Sequence, residues 1–247
     1  MNVSLFRSSV GRRLGRSAAR TLLASLVFGS AAWLSLADAN ALVAQESWPL
    51  VYETDFEGTT DEWRPTEDGT WEIRQEGERG GTYHQFRKEP TYQPEHRSPH
   101  HIAWLDGIEV TSFRLDAKVR STHPDYGHRD VCLFFGRQDA SHFYYVHLAK
   151  QGDDHANQIF LVNGAPRTKI SLTTTTGTDW DDAWHDVRIV RDAESGRIEV
   201  FFDDMTKPVM TAEDKHFTWG AIGLGSFDDT SAWDDVRLYG VKRTPAP

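Results

Sequence analysis

Cysteine is almost missing: Cys132 is the one thiol in 247 residues. No intramolecular disulfide can staple the fold, so stability has to come from packing. Cys132 lies in the apolar run Val131-Cys132-Leu133-Phe134-Phe135, which reads as a buried, inert thiol rather than a nucleophile. Positive charge is also short. Lys and Arg number 27 against 37 Asp and Glu, a formal net charge of −10. No basic stripe exists to neutralise phosphates, which excludes nucleic acid and anionic membrane surfaces as partners. Helical periodicity of normal length is absent beyond residue 41, as are internal repeats and an interdomain linker. The longest apolar run, Thr21 to Leu36, is shorter than the roughly 20 residues that span a bilayer.

That run has the neighbours of a signal peptide. Arg7, Arg12, Arg13, Arg16 and Arg20 precede it without an acidic residue, and Ala39-Asn40-Ala41 follows as a small-x-small cleavage site. Residues 1–41 are read as a signal peptide, residues 47–241 as one domain, and residues 242–247 as a flexible tail. Cleavage would remove five basic residues and one acidic one, leaving 22 against 36. The expectation is an exported protein, periplasmic or extracellular, monomeric and with no membrane partner once the signal is gone.

Short alternating segments separated by turn residues fill the rest, the pattern of an all-β antiparallel sandwich. In Phe113 to Arg120 every second residue is apolar, so one face of that strand is core and the other is wet. Ile198, Val200 and Phe202 repeat the pattern. Asp106-Gly107, Asn163-Gly164 and Ser195-Gly196 supply turns between strands. Twelve strands are predicted: Leu50–Glu57, Trp71–Gln75, Thr82–Phe86, His101–Leu105, Phe113–Arg120, Asp130–Arg137, Phe143–Ala149, Gln158–Val162, Trp184–Arg191, Arg197–Phe202, Ala221–Ser226 and Trp233–Tyr239. The threonine run Thr173–Thr176 reads as a surface loop.

Three stretches carry a family resemblance. Trp219-Gly220-Ala221-Ile222-Gly223-Leu224-Gly225-Ser226-Phe227 with Trp233-Asp234-Asp235-Val236-Arg237-Leu238 resembles the closing strands of concanavalin A-like domains. Asp55-Phe56-Glu57, Trp63 and Gly69-Thr70-Trp71 resemble the opening of laminin-G-like jelly rolls and of the bacterial 3-keto-disaccharide hydrolase-type domain. Trp184-His185-Asp186-Val187-Arg188-Ile189 with Gly196 to Asp203 resembles a hairpin of the same superfamily. The resemblance implies a concanavalin A-like two-sheet jelly roll; that fold hosts lectins, hydrolases, lyases and adhesion modules, so function has to come from the site.

Eight of the eleven histidines lie between His96 and His155. Phe143, Tyr145 and His147 alternate on one strand and share a face. Lys150, Asp153 and His155 follow in a loop, then Gln158 opens the next strand and Arg167 closes it. If these strands are neighbours, Arg137, Tyr145, His147, Lys150, Asp153, His155, Gln158 and Arg167 line one groove. Aromatic faces suit the C–H surface of a sugar, while Gln, His and Arg suit its hydroxyls and carboxylates. His147 and Tyr145 are the candidate acid–base pair should the groove be catalytic. The competing reading is a solvated rim around a satisfied core tyrosine.

Glu53, Asp55 and Glu57 spell E-x-D-x-E, as in family-16 glycoside hydrolases, where alternate carboxylates share a strand face. Asp55 and Glu57 with Asp234 and Asp235 are also candidate ligands for a structural calcium ion, the one cofactor considered. His96, His100 and His101 lack the spacing of a zinc site. The leading expectation is an exported carbohydrate-binding domain recognising a polysaccharide or oligosaccharide. The alternatives are a glycoside hydrolase or polysaccharide lyase in the same groove, and an adhesion domain with a protein partner.

Overall fold

The computed structural model describes residues 48–244, so the signal-peptide reading lies outside the described residues. Sixteen strands follow one another: β1 (Leu50–Thr54), β2 (Trp63–Pro65), β3 (Trp71–Gln75), β4 (Gly81–Gln85), β5 (His101–Leu105), β6 (Val110–Ser121), β7 (Asp130–Asp139), β8 (His142–Ala149), β9 (Gln158–Asn163), β10 (Thr168–Lys169), β11 (Ser171–Thr174), β12 (His185–Arg191), β13 (Arg197–Phe202), β14 (Met210–Glu213), β15 (Ala221–Ser226) and β16 (Ser231–Lys242). A single 3-10 turn, Gly77–Arg79, is the one helical element among the described residues. None of them forms a helix long and apolar enough to cross a membrane.

The strands form two antiparallel sheets. Nine make one sheet in the order β11-β14-β13-β12-β6-β16-β4-β3, with β1 also paired to β16. Seven make the other in the order β10-β9-β8-β7-β15-β5-β2. Between them lies the main core, where Leu115, Val119, Leu133, Val146, Ile189, Val200, Leu224, Trp233 and Leu238 are all buried. The alternation read in β6 holds: Phe113, Leu115, Ala117 and Val119 point inward, and their neighbours are partly exposed. Trp180, rather than Trp184, is the core tryptophan of its loop, donating its indole N–H to the Leu148 carbonyl at 3.1 Å. Trp184 stays half-buried beneath the guanidinium groups of Arg79 and Arg120.

Every predicted strand is present. Four short strands, β2, β10, β11 and β14, lie outside the predicted set, and β11 takes in Thr173 and Thr174 of the expected loop. At the far end β16 continues to Lys242, and Arg243 pairs with Glu109 at 2.8 Å, so the sheet holds the first two residues of the expected tail.

β1 stops at Thr54, and Phe56 enters the left-handed region with φ 56° to bury its ring beside Tyr83. Asp55 and Glu57 therefore lie past the strand end, and the E-x-D-x-E residues do not share one strand face. Glu57 instead accepts the Gly81 amide, and Asp234 takes the Arg79 guanidinium at 2.6 Å and the Asp235 amide at 2.7 Å. Among the described residues, Asp55, Glu57, Asp234 and Asp235 bring no three ligand atoms within 4.8 Å of one another.

Candidate functional site

The seven-stranded sheet is buried on both sides. Strands β5, β7, β8 and β9 are almost continuously apolar and inaccessible, so a second layer must cover their outward side chains. That layer is aromatic: Trp104, Phe134, Phe143, Tyr145 and Phe160 pack with Ile102, Cys132 and Val162, and Phe227 leans against them. Edge-to-face and stacked contacts at 5.0–5.9 Å join Trp104, Phe134, Phe143, Tyr145 and Phe160.

Two backbone devices shape this face. Gly223 sits opposite Trp104 across β15 and β5, and a Cβ there would come within 2.8 Å of the indole. The motif around Ile222-Gly223-Leu224-Gly225 thus puts Ile222 and Leu224 in the core and leaves a flat outward bed for Trp104. Gly136 carries φ 63° where the β7–β8 register slips. A glycine bulge of this kind shifts the facing of the following residue by one place. Strict alternation would send Arg137 inward with Leu133 and Phe135; the bulge sends it outward, with its guanidinium 4.9 Å above the Trp104 ring.

Arg137 borders a pocket of about 210 Å³ with Arg64, Thr66, Tyr92, Trp104 and Phe143 among its walls. The Arg137 Nε is buried and has no hydrogen-bond partner among the described residues. A second cavity of about 370 Å³ lies on the other side of Ser98, walled by Gln93, Arg97, His100 and Phe227. Neither is lined by a carboxylate, in a chain that is acidic overall. The segment that separates them is tied to Glu67, whose carboxylate accepts the Thr91 amide at 2.8 Å, the Tyr92 amide at 3.1 Å and Arg87 at 3.0 Å. The Thr91 hydroxyl, followed by these amides and Arg87, lowers the Glu67 carboxyl to about 2.

The remaining predicted site residues gather at the opposite end of the face. Gln158 pairs with His147, and Phe160 with Tyr145, across β9 and β8. Arg167 stacks over Phe160 and Phe227 at 4.5 and 4.7 Å, donating to the Tyr145 hydroxyl at 2.6 Å and the His155 carbonyl at 3.0 Å. They come together beneath the surface, however: Tyr145 is 0 % exposed, His147 6 % and Gln158 5 %. Burial pushes the Tyr145 hydroxyl well above its ordinary range, which makes it a hydrogen-bonded structural group rather than an acid–base one at neutral pH. Gln158 donates to the Asp153 carbonyl, and the Asp153 carboxylate caps the His155 amide. Lys150 pairs with Asp125 on the rim.

His147 faces an acid that sequence reasoning missed. Its Nδ1 is 3.0 Å from the His155 carbonyl, and its Nε2 is 3.2 Å from Asp130 Oδ2. Asp130 accepts the Phe227 amide and donates its own amide to Asp229. Burial first, then the Asp130 carboxylate, raises the Asp229 carboxyl. Burial likewise raises the Cys132 thiol.

The chain matches no protein-family model, and no curated protein matches it. Its architecture does match solved structures. The carbohydrate-binding module CBM66 from Bacillus subtilis superposes with TM-score 0.52 at 18 % identity, covering 72 % of this chain and 96 % of that one. A Bacillus subtilis protein with a galectin-like fold gives 0.52 at 11 %, over 79 % and 98 %. Winged bean acidic lectin, solved with methyl-α-D-galactose, gives 0.52 at 12 %, over 78 % and 98 %. The fold is that of the concanavalin A-like lectins and glucanases. At these identities the likeness extends to the architecture and leaves the site to be argued from this chain's own residues.

Proposed function

We propose that this is an exported carbohydrate-binding domain whose outward aromatic face takes an acidic sugar unit in the pocket of Arg137. The observation that carries the reading is the buried, unpartnered Arg137 Nε, held over Trp104 at the wall of an acid-free pocket. A buried guanidinium donor without an acceptor is costly. A glycan carboxylate or hydroxyl would relieve that cost, and a planar guanidinium suits a carboxylate best. Tyr92, Trp104 and Phe143 supply the apolar surface against which a sugar's C–H face packs. Two similar structures, a carbohydrate-binding module and a lectin with a bound galactoside, support carbohydrate as the ligand class.

The test is titration of the secreted protein with polyuronates and with neutral polysaccharides, alongside Arg137→Gln. Loss of a charge-assisted hydrogen bond costs about 1.5–3 kcal/mol, so the variant should bind a polyuronate about 10- to 150-fold more weakly. Equal binding by variant and parent would remove Arg137 from the site. No glycan bound by either would favour a protein partner and an adhesion role. The same incubations, read for new reducing ends and unsaturated uronates, test the hydrolase and lyase alternatives. Products that disappear in His147→Ala would replace the binding reading with an enzymatic one.

A further inference from the structure

At the β7–β8 centre of the outward face, three side chains with metal-ligand chemistry converge. Asp130 and Cys132 are two residues apart on β7 and so share a face, and Cys132 stands directly opposite His147 on β8. One ligand atom from each, a carboxylate oxygen, Sγ and an imidazole nitrogen, lies within 4.8 Å of the other two. All three residues are buried.

The tautomer of His147 makes the cluster informative. The His155 carbonyl can only accept, so the 3.0 Å contact at Nδ1 requires the proton there. In the neutral ring Nε2 then carries a lone pair. That nitrogen is buried without a hydrogen-bond partner, although Asp130 Oδ2 lies 3.2 Å away, because their approach does not meet hydrogen-bond geometry. A lone pair thus faces a carboxylate oxygen and a thiol inside an apolar layer. With the ring neutral, a cation between them would take all three groups as ligands, and an imidazole oriented through Nδ1–H to a backbone carbonyl is the arrangement common to metal-bound histidines.

We infer that Asp130, Cys132 and His147 bind one divalent cation of the zinc class. Sulfur and imidazole nitrogen select a borderline-soft ion over calcium, and one carboxylate oxygen completes a three-ligand set that leaves a fourth tetrahedral position open. On binding, the Cys132 S–H proton passes to solvent as the metal–sulfur bond forms. Asp130 also brings a carboxylate oxygen within 4.8 Å of Asp228 and Asp229, a purely oxygen set that competes for the same carboxylate. Asp229 is already engaged with the Asp130 amide and the Tyr126 hydroxyl, and Asp228 is exposed. The ion would tie β7 to β8 directly behind Phe227, whose ring stacks on His147 at 5.9 Å.

The experiment is titration of the tag-free, chelator-stripped protein with Co²⁺, followed by Zn²⁺. The expected result is one equivalent of Co²⁺ with a thiolate-to-metal charge-transfer band and tetrahedral d–d bands, displaced by Zn²⁺, and a Tm that rises with Zn²⁺ concentration. Cys132→Ser should abolish the charge-transfer band, and His147→Gln should weaken uptake at least about 10-fold. Circular dichroism of each variant separates ligand loss from misfolding, and the wild-type spectrum decides independently of the variants. Absence of the charge-transfer band in the wild type would overturn the site and leave His147 and Asp130 as a simple ion pair. So would metal uptake undiminished in folded Cys132→Ser, which would point to the oxygen ligands of Asp228 and Asp229.

Discussion

On the nine-stranded sheet the outward side chains of β6 and β12 are charged and meet across the strands. Lys118 pairs with Asp186 at 2.8 Å, Arg188 with Asp116 at 3.2 Å through Nη2, and Arg114 lies over the Tyr239 ring on β16. On the seven-stranded sheet the corresponding side chains of β5, β7, β8 and β9 are mostly aromatic, with arginines laid over them. Although the outward Val190 of β12 is only 5 % exposed, the first surface is open at these charged positions to water. The second excludes it, and its cover consists of loops and guanidinium groups rather than another sheet. A charged ladder gives little energy, and the cleft of about 210 Å³ that opens along it is walled by Asp116, Lys118, Asp186, Arg188 and Arg237 rather than by aromatic rings; an aromatic layer under arginines gives both a second core and pockets. The difference is the reason the proposed sugar site is placed on the aromatic side of the sandwich.

Unfolding measurements on the two faces sharpen this contrast. The largest effect is expected for Phe134→Ala, which opens the aromatic layer and should cost about 3–5 kcal/mol, as for a main-core residue. A cost below about 1 kcal/mol in denaturant titration would mean the layer is a loose cover. Next comes Arg167→Ala, which leaves the Tyr145 hydroxyl without its donor and uncovers Phe160; equilibrium unfolding should show a loss of about 1.5–3 kcal/mol. On the other sheet, a double-mutant cycle on Asp116 and Arg188 should give a coupling below about 1 kcal/mol. A larger coupling would undo the distinction between the faces.

The smallest effect concerns acid. Because the Glu67 carboxyl is depressed in the folded state, its contribution is complete above its ordinary value of 4.5 and fades as pH falls toward about 2. Glu67→Gln should therefore lower Tm at neutral pH and flatten the Tm profile between pH 5 and 2. An unchanged profile would show that Glu67 does not hold the segment around Thr91 and Tyr92.

The sequence made the sandwich readable because alternation in β6 and β13 reports one wet face directly, and because Gly223 and Gly225 mark where β15 needs no outward side chains. It was less informative for the seven-stranded sheet. There both faces are apolar, so the period that assigns a residue to one side is lost, and His147 could be placed on a face without revealing that the face is covered. Arg137 was singled out as a groove residue; its outward position comes from a register slip at Gly136 that no alternation rule contains. Tyr92 sits in a proline-rich connection with no periodic signal, and Asp130 read as the first residue of a strand. Their importance comes from what the fold brings beside them.

Strand β16 has a consequence for how the chain is made. It lies between β6 and β4 and also carries β1, with Trp233 opposite Tyr83 and Val119. The N-terminal half of the nine-stranded sheet cannot close until residues 231–242 have emerged from the ribosome, and pairings this distant in sequence form slowly. Until then β6 and β4 each expose an open edge, so a long interval between synthesis and completion is a period of vulnerability to aggregation or capture by a chaperone.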